Sequence, residues 1–255
     1  MRFCASWWSP AGYRGAESRT AVDARCDDMN DSTRRRPGGR QTLPRPARWL
    51  EVTEPLWERV DHDVLKDFRH ITNAVRDHRP DPTMQVPPPE ANPSAVLVTL
   101  VDDERGPSVL LTRRAEWLST HKSQIAFPGG RLEPGESSLT AALREAREEV
   151  GLESHELTPI GELVAHRTVS SASHIIPHVV VARSLPSAYV TSSEVDRVFT
   201  VPLVELVRPD TFVEEHWVFP DREVRVPFFY LDDETIWGAT ARMLQALIGV
   251  VTARR

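Results

Sequence analysis

Three glutamates, Glu145, Glu148 and Glu149, stand at positions i, i+3 and i+4 of a run made largely of good helix formers, residues 139–150. On a helix they share one face, where like charges repel. The pattern makes chemical sense if a divalent cation neutralises them. Hard cations such as Mg²⁺ take oxygen ligands and commonly bridge to substrate phosphates. Just upstream, Gly129 and Gly130 allow backbone conformations that a Cβ forbids. Arg144 and Arg147 offset part of the charge.

The elements that must hold these groups can be read locally. Pro134 and Gly135 mark a turn, and Ser137 or Ser138 can cap the helix that follows. Gly151 sits where a helix C-terminus favours a left-handed residue. Before the glycines, residues 95–101 form a β-branched apolar strand, and residues 108–112 a second one across a turn at 102–107. Residues 110–130 join this hairpin to the helix and carry Arg113, Arg114, His121, Lys122 and Gln124, all suited to a large anionic ligand.

The remainder of the chain frames that centre. Residues 1–45 are rich in Arg, Ser, Gly and Pro without periodicity and read as a disordered arm. Met29 is a candidate start within it. Residues 46–93 supply an N-terminal helix and a Pro-rich linker: Val60, Val64, Phe68, Ile71 and Val75 recur at helical steps, and residues 80–93 read as extended. Further strands are expected at 156–164 and 174–182, a hairpin at 212–230 turning at Pro220-Asp221, and a closing helix at 234–251. His62, His70 and His78 read as surface residues, and His166, His174 and His178 as rim or core residues rather than metal ligands.

Composition narrows the function. With 255 residues and 40% hydrophobic content, the chain can bury a real core. A net charge of −6 argues against a nucleic-acid partner held by bulk electrostatics. It does not forbid an anionic substrate, because a bound metal inverts the local field. No apolar run approaches a membrane span, so no membrane partner is expected. The two cysteines, Cys4 and Cys26, both lie in the arm, which suggests a reducing compartment, the cytoplasm.

The spacing G-x5-E-x7-R-E-U-x-E-E-x-G-U, with U apolar, is filled in order by Gly130, Glu136, Arg144, Glu145, Ala146, Glu148, Glu149, Gly151 and Leu152. This resembles the Nudix box. The segment before it resembles the signature of the coenzyme A pyrophosphatase branch of that family: Leu110, Leu111, Thr112, Arg114, Leu118, His121, Gln124, Ile125, Phe127, Pro128, Gly129 and Gly130 agree. Ala115 stands where that branch usually has Ser, and Ser123 where it has Gly. Residues 191–206 resemble a late Nudix segment whose acidic member, here Glu194, approaches the metals in several family members. A carboxylate at the start of a helix is the other reading of Glu194.

The resemblance implies an α/β fold, a Nudix-type α/β/α sandwich with a mixed sheet, spanning 94–255 and preceded by the N-terminal helix and flexible arm. Residues alone give only a mixed α/β domain. The resemblance also implies hydrolysis of a diphosphate linkage with Mg²⁺ or Mn²⁺. Metal ligands would be Glu145, Glu148, Glu149, Glu194 and the carbonyl of Gly130. Glu145 and Arg144 would be the catalytic pair, with Glu145 the first choice among the three glutamates to orient or deprotonate the water and Arg144 steering the carboxylates. Arg113, Arg114, His121 and Gln124 would bind a small nucleotide substrate, coenzyme A or an acyl-CoA. Other diphosphate substrates (ADP-ribose, dinucleoside polyphosphates, nucleoside triphosphates) and a non-catalytic binding module are the alternatives. A homodimer is compatible with the sequence.

Overall fold

The computed structural model describes residues 36–39, 41–52, 61–118, 120–168, 172–186, 189 and 192–253. Both cysteines, Met29 and Val60 lie outside the described residues. The elements follow in chain order. Strand β1 (Arg48–Val52) is followed by a 3-10 turn (His62–Lys66), α1 (Phe68–Asp77) and the single-turn α2 (Pro82–Gln85). Next come β2 (Asn92–Asp103), β3 (Gly106–Arg114), β4 (Ile125–Ala126), β5 (Gly129–Arg131) and α3 (Ser138–Val150). The chain continues through β6 (Leu157–Glu162), β7 (His166–Arg167), β8 (Ser173–Ala182), β9 (Val195–Pro202) and α4 (Leu203–Leu206). It ends in β10 (Phe212–Val218), β11 (Glu223–Tyr230), β12 (Thr235–Trp237) and α5 (Gly238–Thr252).

The central sheet has eight strands, ordered β4-β3-β2-β8-β6, with β9 on β3, β5 on β2 and β7 on β8. It is mixed: β2 runs parallel to β8 and antiparallel to β3 and β5. Strand side chains alternate between faces, and here both faces are covered. Leu97, Leu110 and Val180 meet the small residues Ala141, Ala142 and Ala146 of α3 on one side. Val98, Val109, Leu111 and Val179 meet Ile71 and Val75 of α1 and Leu244, Leu247 and Ile248 of α5 on the other. Three layers result, the α/β/α sandwich with a mixed sheet. Each fully buried Leu, Ile or Val contributes roughly 1.5–3 kcal/mol. Leu65, Ile71 and Val75, all 0% exposed, are therefore enough to dock the N-terminal helical segment. No helix among the described residues is long and apolar enough to cross a membrane.

A second, four-stranded antiparallel sheet, β1-β10-β11-β12, encloses the aromatic cluster of Trp217, Phe228, Tyr230 and Trp237. The hairpin at 212–230 is present, closed by Phe219 N donating to Arg222 O. Three expectations need correction. The end of the arm is docked rather than disordered: Arg36 pairs with Glu205 and Asp232, and Arg45 with Glu215. The expected linker holds α2, whose Gln85 donates to Glu162 and the Leu163 carbonyl and accepts from Ala165 N. The closing helix starts at Gly238 rather than 234, because Glu234 is 1% exposed and neutralised by Arg113 and Arg197, and residues 235–237 pair with β11.

Candidate active site

Helix α3 carries the acidic face, and its ends form as the local sequence demands. Ser137 accepts from Thr140 N at 3.2 Å, and Gly151 closes the helix at φ +72°. Such an N-cap contributes about 1 kcal/mol. Of the two serines, Ser137 is the cap, while Ser138 bonds to His178. The short strand β5 pairs with β2 and lies along α3. A Cβ on Gly130 would stand 2.3 Å from Glu145 Oε1, and one on Gly129 2.3 Å from the Ala95 carbonyl. Backbone atoms thus exclude a side chain at Gly129, whereas one at Gly130 would push aside the Glu145 carboxylate, against which the Gly130 backbone lies directly.

Arg144 organises one half of the cluster. Its Nε and Nη2 hold Glu136 at 3.0 and 3.1 Å, and Nη1 donates to Glu145 Oε1 at 2.9 Å and Glu148 Oε2 at 3.4 Å. Nη2 also reaches the Arg131 carbonyl. Glu136 accepts in addition from Glu133 N, and Arg144 foremost holds its carboxyl below the usual range. Glu136 stands just before the Ser137 cap, and the first turns of α3 bring Arg144, eight residues on, back to it.

Glu149 behaves differently. It is 8% exposed, its Oε2 accepts from Gly129 N at 3.2 Å, and burial pushes its carboxyl up to about 7. The Gly129 N–H and Arg114 pull against burial, while the charges of Glu145 and Glu194 add to it. Arg114 closes the other half of the cluster, with Nη2 at 3.1 Å from Glu194 and Nη1 at 3.9 Å from Glu149. Glu194 precedes strand β9 rather than opening a helix, so the helix-dipole reading is wrong for it.

The structure thus brings Glu145, Glu148, Glu149, Gly130, Arg144, Arg114 and Glu194 together. Among the described residues no three acidic or histidine side chains converge on one point; Arg144 pairs with Glu145 and Glu148, and Arg114 with Glu149 and Glu194. The donor set itself is all oxygen, and a buried carboxyl displaced toward neutrality gains from a cation beside it; both fit a hard divalent ion.

The loop between β3 and β4 stands beside this cluster. Arg114 N donates to the Gln124 carbonyl, Ser123 N to the Arg114 carbonyl, and Ala115 N to the Glu194 carbonyl. His121 Nδ1 and Gln124 Oε1 are 2.9 Å apart, a bond between the two expected ligand-binding side chains. Ser123, standing where the branch signature has Gly, has φ +57°, a left-handed conformation that favours glycine. Ala115 is buried at 4% exposure. Arg113 is a correction. Adjacent strand residues face opposite ways, and its guanidinium binds Asp196 at 2.7 Å and buried Glu234 at 2.6 Å. It is not brought to the carboxylates. His174 and His178 are buried, at Gln85 O and Ser138 Oγ, as core residues.

Comparison with known proteins agrees with this geometry. The NUDIX domain model matches residues 91–222. "Nudix hydrolase 3" of Caenorhabditis elegans is 36% identical over 117 residues, 45% of this chain and 49% of that protein. The chain thus spans about half the length of that relative. "Uncharacterized Nudix hydrolase NudL" of Photorhabdus laumondii is 33% identical over 177 residues, 64% of this chain and 90% of the relative. The protein of the same name from Yersinia pestis is 35% identical over 158 residues, 60% of this chain and 77% of the relative. The matched span carries the complete acidic motif, its glycine strand and Glu194, and the chain belongs to the NUDIX family.

Proposed function

We propose that this chain is a metal-dependent hydrolase of a diphosphate linkage that cleaves coenzyme A, or an acyl-CoA, to 3′,5′-ADP and 4′-phosphopantetheine or its acyl form. The observation that carries the reading is the end of β3, where Arg114 lies 3.9 Å from Glu149 and 3.1 Å from Glu194 while its backbone pairs with Ser123 and Gln124 of the loop that carries His121. Arg114, His121 and Gln124 are residues of the branch signature, and the contact of Arg114 with the acidic centre supports a role in gripping an anionic substrate.

Glu145, Glu148, Glu149 and Glu194, with the Gly130 carbonyl, would hold Mg²⁺ or Mn²⁺, which when bound neutralises diphosphate charge and acidifies water. The remaining work belongs to the chain. Arg144 holds Oε1 of Glu145, which leaves Oε2 to take the proton from the attacking water. The water oxygen forms a bond to one phosphorus as the bridging P–O bond breaks, and the second phosphate departs with the electron pair. Arg144 keeps Glu145 and Glu148 in fixed orientation through charge-assisted hydrogen bonds, and Glu136 braces Arg144.

The test is incubation of the purified protein with coenzyme A and Mg²⁺ or Mn²⁺, with product separation. Appearance of 3′,5′-ADP is expected. A folded protein that leaves both coenzyme A and an acyl-CoA intact under both metals refutes the substrate. A parallel panel of ADP-ribose, a dinucleoside polyphosphate and nucleoside triphosphates then shows whether the chemistry stands with another diphosphate.

A further inference from the structure

The guanidinium of Arg114 lies where a metal-binding carboxylate cluster would be expected to hold its cation. It touches Glu194 at 3.1 Å and Glu149 at 3.9 Å, the two carboxylates that Arg144 does not engage. Its backbone is clamped on both sides by Gln124 and Ser123. The β3–β9 pairing shifts register between Arg113 and Arg114. A shift of this kind re-aims side chains, and here Arg113 is spent on Glu234 and Asp196 while Arg114 is turned to the acidic centre. The Arg114 Nε is buried and has no hydrogen-bond partner among the described residues. A buried donor left unpaired costs free energy until an acceptor arrives, so this side chain is incompletely satisfied in the arrangement described.

We propose that Arg114 is a built-in counter-cation of the acidic centre. In the metal-free protein it neutralises Glu149 and Glu194 and keeps them from converging with Glu145 and Glu148. When a divalent cation binds, Arg114 gives up these carboxylates, and its freed guanidinium, Nε included, turns to an anionic oxygen of the substrate. Arg114 is then a positioning residue that makes anion binding follow cation binding, because the same charge cannot serve both partners. The inference rests on the metal-dependent reading above but not on the identity of the diphosphate.

Mn²⁺ titration of the full chain without substrate, followed by the electron paramagnetic resonance of free Mn²⁺, tests it. Arg114→Gln is expected to bind Mn²⁺ roughly five- to tenfold more tightly than the wild type, the size of a modest coupling between sites. Arg114→Lys, which keeps the charge, is expected to stay near wild type. Equal or weaker binding by Arg114→Gln overturns the proposal, while failure of the wild type to bind Mn²⁺ overturns the metal-dependent reading with it. A second readout does not depend on folding of the Gln variant. The Arg114 Nε–H resonance, assigned by its loss in Arg114→Lys, is expected to shift when Mg²⁺ is added, while that of Arg113 stays. An unmoved Arg114 signal under saturating Mg²⁺ also refutes it.

Discussion

Two regions of this molecule are built from the same materials, glutamates and arginines, and they balance them in opposite ways, one with fully buried carboxylates and one where only Glu149 is buried and Glu148 and Glu194 face solvent. Behind the central sheet, Glu215 is 0% exposed and receives Arg45 through two nitrogens, together with Trp217 Nε1 and the Tyr230 hydroxyl. Glu234, 1% exposed, receives Arg113, Arg197 and Gln41. At the acidic centre, among the described residues, five carboxylates, Glu136, Glu145, Glu148, Glu149 and Glu194, share two arginines, Arg144 and Arg114. A saturated buried pair fixes structure, and losing one partner strands a charge. An under-neutralised cluster instead stores an affinity for cations. The clusters at Glu215 and Glu234 also tie Arg45, β12 and the start of α5 to the sheets, and those parts lie outside the span matched by the family model.

The comparison can be broken by exchanging the two outcomes, loss of turnover and loss of stability. The largest effect is expected for Glu149→Gln, which should lower turnover by on the order of a thousandfold, the scale of removing one transition-state-stabilising group. Circular dichroism and the denaturant midpoint should show the fold intact; unimpaired turnover would remove Glu149 from the site. Glu215→Ala should do the reverse. It leaves Arg45, Trp217 Nε1 and the Tyr230 hydroxyl without their shared acceptor, at a cost of about 3–5 kcal/mol. Urea denaturation measures that loss, and turnover per folded molecule should stay at the wild-type value. Lost turnover with unchanged stability would show that the rear cluster is part of the site.

The smallest effect sharpens the contrast through pH. Burial holds the Glu149 carboxyl at about 7 against an ordinary 4.5. Between those values the folded state keeps a proton that the unfolded chain has released. This group therefore makes the metal-free protein less stable as pH rises through that window, by on the order of 2–3 kcal/mol. Acidic side chains held low by arginine, such as Asp210 and Asp232, act in the opposite sense. The quantity to measure is therefore the difference in unfolding free energy between Glu149→Gln and wild type, at pH 5 and pH 8 without metal. The variant should gain on the wild type at the higher pH, and saturating Mg²⁺ should cancel much of that gain. A difference independent of pH would show that Glu149 is not desolvated as its surroundings imply.

Much of the acidic centre was legible in the sequence because it is local. The i, i+3, i+4 carboxylates, the Ser cap, the left-handed Gly151 and the glycines before the helix are set by neighbours within a few turns, and the helix runs from Ser138 to Val150 almost as its composition suggests. The sandwich followed from apolar strands whose two faces both needed cover. Three-dimensional packing decided what remained. Arg113 and Arg114 are adjacent and chemically alike, yet strand alternation and a register shift send one to the rear cluster and the other to the acidic centre. Residues 1–45 read as an arm because they lack a periodic apolar face, yet Arg36 and Arg45 within it are held by partners far along the chain, Glu205, Asp232 and Glu215. Glu234 looked like the start of a helix until two distant arginines required its charge in the interior. The sequence by itself determined which groups could hold a cation, since that is written in residue type and short spacing. Only the tertiary structure decided which arginine shares those groups, because that depends on strand pairing between residues some eighty positions apart.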